Sequence, residues 1–134
     1  MPGIWCNEGT HQLMGVYFKG VTAPTIYLGL YYNLGQQPVS TMTLAGLYSE
    51  PSTGGYARIA LAGSDFTLTA NQVVAAVKTF TPTGADWGPM DGWFICDVAS
   101  GTAGKLIAIQ PFSDGPYNLL DGVATEVIAA LNAT

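Results

Sequence analysis

Between Thr25 and Tyr32 the chain alternates: Ile26, Leu28, Leu30 and Tyr32 share one face of an extended segment, and Tyr27, Gly29 and Tyr31 share the other. A period of two in aromatic and β-branched residues, bounded by turn formers, predicts a β-strand. The same pattern recurs downstream. Tyr56–Ala62 is expected to turn Ala57, Ile59 and Leu61 inward. Gln72–Phe80, apolar on both sides apart from Lys78, reads as a more central strand, or secondly as a short helix. Met90–Val98 sets Trp93 and Ile95 on one face and Phe94 and Cys96 on the other, and Lys105–Phe112 follows the ASGTAG turn as its hairpin partner. Val123–Leu131 fits both periods; its neighbourhood of strands favours the strand.

Two regions depart from alternation. In Trp5–Lys19, Leu13, Val16, Tyr17 and Gly20 recur at helical spacing, Asn7 stands as the N-cap, and Glu8 lies in the first turn where a negative charge suits the helix dipole. Gly9 and Gly15 each cost up to about 1 kcal/mol relative to Ala, so this helix is expected to need packing to hold it. Pro24 prevents its continuation. Asn33–Pro51 shows no sustained period and reads as a loop, with a short strand inside Ser40–Tyr48 as the element it could hold. Short strands separated by Gly/Pro/Ser turns after one helix predict a mainly β fold: an antiparallel β-sandwich of jelly-roll or immunoglobulin-like type with a short N-terminal helix. One domain is expected over residues 1–134, with a helical segment at 1–22 and the sandwich at 25–134. A parallel βαβ sheet needs helical crossovers, and the connections hold no convincing helix.

Composition sharpens this picture. Only 10% of residues are charged, against about 25% in a typical soluble protein. Four basic and nine acidic side chains cannot cover a surface of this size. Much of the exterior must therefore be small, hydroxylic or apolar, which loses little when another protein covers it. The net charge of −5, with Lys19, Arg58, Lys78 and Lys105 scattered singly, excludes a phosphate-binding surface, so no nucleic-acid partner is expected. No run of about 18 apolar residues is present to span a membrane. No basic segment followed by an apolar one opens the chain, so a soluble protein made in a cytoplasm is expected.

Candidate chemistry is sparse, and no catalytic residue, cofactor or metal site is assigned. His11, the single histidine, lies in the predicted helix without a nucleophile-elbow motif anywhere. Asp65, Asp86, Asp91, Asp97, Asp114 and Asp121 mostly flank Gly or Pro, where a carboxylate bonding the local backbone explains them. Paired carboxylates for glycoside hydrolysis and loop aspartates for calcium are the functional alternatives, but no D-x-D-x-D-G loop is present. Cys6 and Cys96 could join only if their Cα atoms come within about 7 Å; otherwise they are two buried thiols. The aromatic set Tyr27, Tyr31, Tyr32 and Trp93 is the candidate interface: a packing surface covered by a neighbour, or secondly a sugar-binding platform with Trp87. Asp86, Trp87 and Gly88 form the candidate structural corner, with Trp87 expected in the core.

Three blocks carry a likeness to a known family. They are TAPTIYLGLYYN after the predicted helix, TGGYARI at Thr53–Ile59, and FTPTGADWGPMDGWFICDVASGTAGKLIAI at Phe80–Ile109. On these the chain resembles a family of small virion proteins of tailed bacteriophages, labelled tail-fibre, head-fibre or decoration proteins. Their corresponding patterns are "TAPATLYVALFTA", "GGYAR" and "F…AT.DWG.ITHFGIFDA.TGGNLL". In the third block Phe80, Asp86, Trp87, Gly88, Gly92, Ile95, Asp97, Gly104 and Leu106 match. Cys96 replaces a usual aromatic residue, the Asn33–Pro51 loop is shaped differently, and YNLLDGVATEVIAAL does not reproduce the family's last strand.

The resemblance implies a virion location and a capsid decoration or cement role. The implied partners are the major capsid protein or other virion proteins, with assembly as a homo-oligomer. The alternative it implies is a tail or head-fibre component with receptor or glycan binding. A lectin-like binding module and an enzyme stand outside the resemblance as the other classes.

Overall fold

The computed structural model describes residues 3–47 and 49–132. It is a mainly β, antiparallel sandwich with one short α-helix near its N-terminus. The central layer is a five-stranded sheet in the order β1-β9-β8-β2-β3. Its strands are β1 (Ile4–Trp5), β2 (Ile26–Tyr31), β3 (Ile59–Leu61), β8 (Gly92–Cys96) and β9 (Leu106–Pro111). The hairpin read from the sequence is present: β8 pairs antiparallel with β9, Phe94 opposite Ile109. The second layer holds β4 (Phe66–Thr69), β5 (Gln72–Ala75) and β12 (Ala130–Asn132) as one sheet in the order β12-β5-β4. Two further pairs complete it: β6 (Lys78–Phe80) with β11 (Thr125–Val127), and β7 (Gly88–Met90) with β10 (Tyr117–Leu119).

The alternation expected in β2 and β8 is observed. Leu28, Leu30, Trp93 and Ile95 face the second layer and pack with Phe80, Trp87, Leu119, Val127 and Leu131 in the principal core. Tyr31, Phe94 and Cys96 face the opposite way, into a smaller core with Cys6, Leu44, Leu106 and Ile109. The five-stranded sheet is thus buried on both faces, and the second face is covered by the chain's own Asn33–Glu50 connection, through Met42, Leu44 and Leu47.

Several expectations are corrected. Gln72–Phe80 is neither one strand nor a helix, and Val123–Leu131 is a strand only in two pieces. β5 pairs with β12 (Val74 opposite Ala130) and β6 with β11 (Val127 opposite Lys78), so the register slips by one residue between the pairs. That slip is a bulge, which bends the ribbon over the core and leaves Val77 and Ile128 half-exposed. Within Ser40–Tyr48 the described residues form a 3-10 turn, Leu44–Gly46, rather than a strand; Thr43 Oγ1 accepts from Gly46 N at 3.1 Å, and Tyr48 lies outside the described residues. The Tyr56–Ala62 strand shortens to β3; Ala57 is exposed, and the buried neighbour is Arg58.

Helix α1 spans Asn7–Lys19, close to the expected bounds, but its cap differs. Cys6, not Asn7, is the N-cap and makes no side-chain capping bond. The β1–β9 ladder fixes that phase: Trp5 lies opposite Ala108, and Cys6 N donates to Ile107 O at 2.9 Å. Tertiary anchoring has overridden the capping preference. Glu8 does more than meet the dipole, since its Oε2 accepts from Leu106 N (2.9 Å) and Leu44 N (3.3 Å), tying helix, sheet and loop together. Gly20 ends the helix in the left-handed conformation (φ 70°).

Gly9 explains its own presence. A Cβ there would sit 2.5 Å from Ile107 Cα and 2.6 Å from Ile107 O, so only glycine lets the helix lie directly on β9. Gly9→Val is expected to lift the helix from the sheet and cost about 2 kcal/mol, read as a lower urea midpoint with unchanged m-value. A stability equal to wild type would mean that α1 is not seated on β9.

Candidate functional site

The proposed aromatic interface largely dissolves in the structure. Tyr31 is fully buried in the smaller core and Trp93 is buried in the principal one, so neither can meet a neighbour. Tyr27 and Tyr32 are half-buried against the two cores. The outer aromatic layer exists, but this chain's own loop covers it. A sugar platform built on Tyr31 and Trp93 loses its surface in the same way.

Burial raises the Tyr31 hydroxyl well above the ordinary tyrosine range, with the nearby Asp91 carboxylate adding to it. That hydroxyl makes no hydrogen bond. An unsatisfied buried donor is a cost, so Tyr31→Phe is expected to leave thermal stability unchanged or raise it by up to about 1 kcal/mol. A clear loss would show that the oxygen has a partner in solution.

The corner residues are where a corner needs them. Trp87 lies in the core, and Gly88 takes a positive φ of 80° as the chain turns into β7. Asp86 Oδ1 accepts from Asp121 N at 2.7 Å, while Asp121 Oδ1 accepts from Gly84 N at 2.8 Å. Asp91, Asp97 and Asp65 bond backbone amides as well. Asp91 Oδ2 accepts from Asn33 N (2.6 Å) and Gly35 N (3.0 Å). Asp97 Oδ1 accepts from Lys105 N (2.6 Å), and Asp65 takes both Ala62 N (2.7 Å) and the Lys78 ammonium (3.0 Å). These carboxylates are engaged with backbone amides, as carboxylates in turns commonly are. Among the described residues no group of three or more His, Cys, Asp or Glu side chains is placed to hold a metal, and no helix is long and apolar enough to cross a membrane. His11 is exposed on α1.

Cys6 and Cys96 are both buried free thiols in the smaller core. Burial, with Glu8 adding to it, pushes the Cys6 thiol up to about 12. Burial also raises Cys96, with Arg58 opposing the shift, and its S–H donates to Val98 O at 3.3 Å. The thiolate is the reactive form, so at about pH 8 neither cysteine is expected to react with a disulfide reagent until denaturant is added. Rapid modification of the folded chain would contradict this placement.

What the structure exposes is different from what the sequence singled out. In helix α1, Leu13, Val16 and Tyr17 recur at helical spacing, and the helix is expected to need packing to hold it. Gly9 is its one buried position among the described residues. Tyr17 is 81% exposed and Phe18 76%, with Leu13 at 54%, Met14 at 49% and Val21, just past the helix, at 53%. Leu13 and Tyr17 lie one turn apart, as do Met14 and Phe18, so these side chains form one continuous stripe. Tyr17 and Phe18 stack edge to face at 5.0 Å.

Beside the stripe, between α1 and the β3–β4 connection, lies an open cleft of about 390 Å³. Trp5, Val16, Ile26, Leu61, Phe66 and Ile107 line it, and Leu13 is shared between cleft and stripe. The stripe and the cleft carry no charged side chain, so they can bury area against another protein with little charge to desolvate. No protein-family model matches the chain, and no curated protein sequence is similar to it.

Proposed function

We propose that the chain is a non-catalytic structural subunit of a tailed-bacteriophage particle, acting as a decoration or cement protein on the major capsid protein. The observation that carries this reading is the outward-facing apolar stripe on α1 beside the apolar cleft. A free monomer rarely keeps an apolar patch of that kind in water, and such patches mark protein–protein contact. The low charge agrees, since little must be desolvated when the surface is covered. The carboxylates of Asp65, Asp86, Asp91, Asp97 and Asp121 bond backbone amides, which agrees with a structural role. The three sequence blocks with their virion resemblance supply the particular setting.

A cement protein works by burying many modest contacts across subunit joints, repeated over a symmetric shell. The decisive experiment is quantification of this chain against the major capsid protein in purified particles. Hundreds of copies per particle support the decoration role. A few to some dozens place it in the tail or in fibres, and absence from particles overturns the virion reading altogether.

A further inference from the structure

We infer that the α1 stripe and the adjoining cleft are two halves of one self-complementary contact whose occupant is a second copy of this chain, the Tyr17–Phe18 pair of each copy entering the cleft of the other. The pairing rests on reading this patch as an interface, but not on which particle the chain belongs to.

Three observations favour a second copy. First, projection and hollow lie side by side on one chain and share Leu13 as a common wall. A two-fold rotation that sets one projection into the partner's hollow necessarily does the same in reverse, which is the geometry of an isologous dimer. The hollow is large enough: an apolar cavity of about 150 Å³ holds benzene, and this cleft offers about 390 Å³.

Second, the area suffices. Tyr17 and Phe18 show 81% and 76% of their surface, and Leu13, Met14 and Val21 about half. With roughly 200 Å² for a whole aromatic residue and somewhat less for the others, the stripe presents on the order of 550–600 Å². A standard interface takes about 800 Å² from each partner, and the cleft walls supply the remainder.

Third, two copies of a chain with net charge −5 repel one another unless the contact keeps acids out. The stripe residues Leu13, Met14, Tyr17, Phe18 and Val21 are all uncharged, as are the residues lining the cleft. Lys19 and His11 are the ionisable neighbours on the helix, and Glu8 is taken up by Leu44 N and Leu106 N. A basic or acidic partner surface would find nothing to pair with here, whereas an identical uncharged one fits.

The test is sedimentation analysis of the full chain across the micromolar range, with two surface variants. Phe18→Glu removes the projection, and Ala23→Trp, at an exposed position on the cleft wall, fills the hollow. Both side chains are solvent-facing, so circular dichroism and melting temperature should match wild type, which keeps a loss of association from being a loss of fold. Wild type is expected to dimerise, and each variant to weaken self-association by at least about 30-fold, the change for a hot-spot side chain. Mixing the two variants should recover part of the association as a heterodimer, because one of its two contacts then joins an intact projection to an intact hollow.

A wild type that stays monomeric throughout the range, or a dimer indifferent to both variants, overturns the inference. If the monomer instead binds capsids and Phe18→Glu abolishes that binding, the occupant is the capsid protein; the inference fails while the cement reading stands. If the dimer responds as expected but the chain is absent from particles, the reverse holds.

Discussion

Replacing Arg58 by Leu is expected to destabilise the protein by about 3–5 kcal/mol, the cost of removing one partner from a buried, hydrogen-bonded ion pair. Arg58 is only 8% exposed. Its Nε donates to Glu50 Oε1 at 2.9 Å and its Nη2 to Glu50 Oε2 at 2.7 Å, a two-pronged pairing. The remaining donors hold the 98–101 turn, with Nη1 on Val98 O at 2.9 Å and Nη2 on Gly101 O at 2.8 Å. The guanidinium also lies 5.2 Å from the centre of the Phe94 ring.

Glu50 is held from the other side by Tyr56, whose hydroxyl donates to Oε1 at 2.6 Å and accepts from Leu30 N at 3.0 Å. Removing Arg58 therefore strands a carboxylate and two carbonyls at the edge of the smaller core and releases the loop that covers it. In a domain of this size the loss should lower the melting temperature by roughly 10–20 °C.

Chemical denaturation of Arg58→Leu, Glu50→Leu and the double variant separates the pair from its surroundings. The double variant should recover part of the loss, because an apolar pair leaves no unmatched charge. A single variant within about 1 kcal/mol of wild type would rule out the clamp.

Arg58 also shows where sequence reasoning stops. The alternation in Thr25–Tyr32 and Met90–Val98 was legible because both strands are central and buried on both faces, so every side chain has a fixed direction. Alternation assigns residues to two faces; it does not say what covers each. Tyr31 was placed on the correct face, yet the cover proved to be the chain's own 33–50 connection, which has no period to betray it. Arg58 was one of four scattered basic residues, and nothing local marks it as the partner of Glu50. β4 (FTLT) and β10 (YNL) went unrecognised because they are short and mostly exposed, so burial leaves little trace in their composition.

The helix poses the same problem in reverse. The spacing of Leu13 and Tyr17 correctly indicated an apolar face, and inward packing was the natural reading of it. Yet the helix already touches β9 through a glycine, which sets the bulky face toward water. The clue in the sequence was Gly9, one of two glycines in the helix, a full turn before Leu13. Converting that clue into an orientation required knowing that Ile107 lies beneath it.

Trp87→Ala is expected to cost about 3–5 kcal/mol, and Trp87→Phe about 1–3 kcal/mol, and the gap between them carries the meaning. The indole packs edge-on to Tyr56, with ring centres 5.2 Å apart, and to Phe80 at 6.3 Å. Its backbone N donates to Leu119 O at 2.9 Å, which a substitution leaves intact. Its Nε1 donates to Gly54 O, also at 2.9 Å, and Thr83 N donates to the same carbonyl at 2.8 Å.

Gly54 has φ 64°, and a Cβ there would fall 2.5 Å from Ala85 O and 2.7 Å from Trp87 Nε1. The TGG turn before β3 and the DWG corner before β7 are therefore two sides of one contact, which gives a physical reason for both blocks to occur in one chain. Phe at position 87 keeps most of the ring packing but removes one donor from Gly54 O; Ala removes both and leaves a cavity between Tyr56 and Phe80. Urea denaturation should rank the three proteins wild type, Phe, Ala, with distinct midpoints. If Phe and Ala were equally destabilised, the hydrogen bond to Gly54 would account for everything and the ring packing for nothing. If Phe matched wild type, the indole N–H would contribute nothing, and ring packing with the Thr83 N bond to Gly54 O would hold the two turns together.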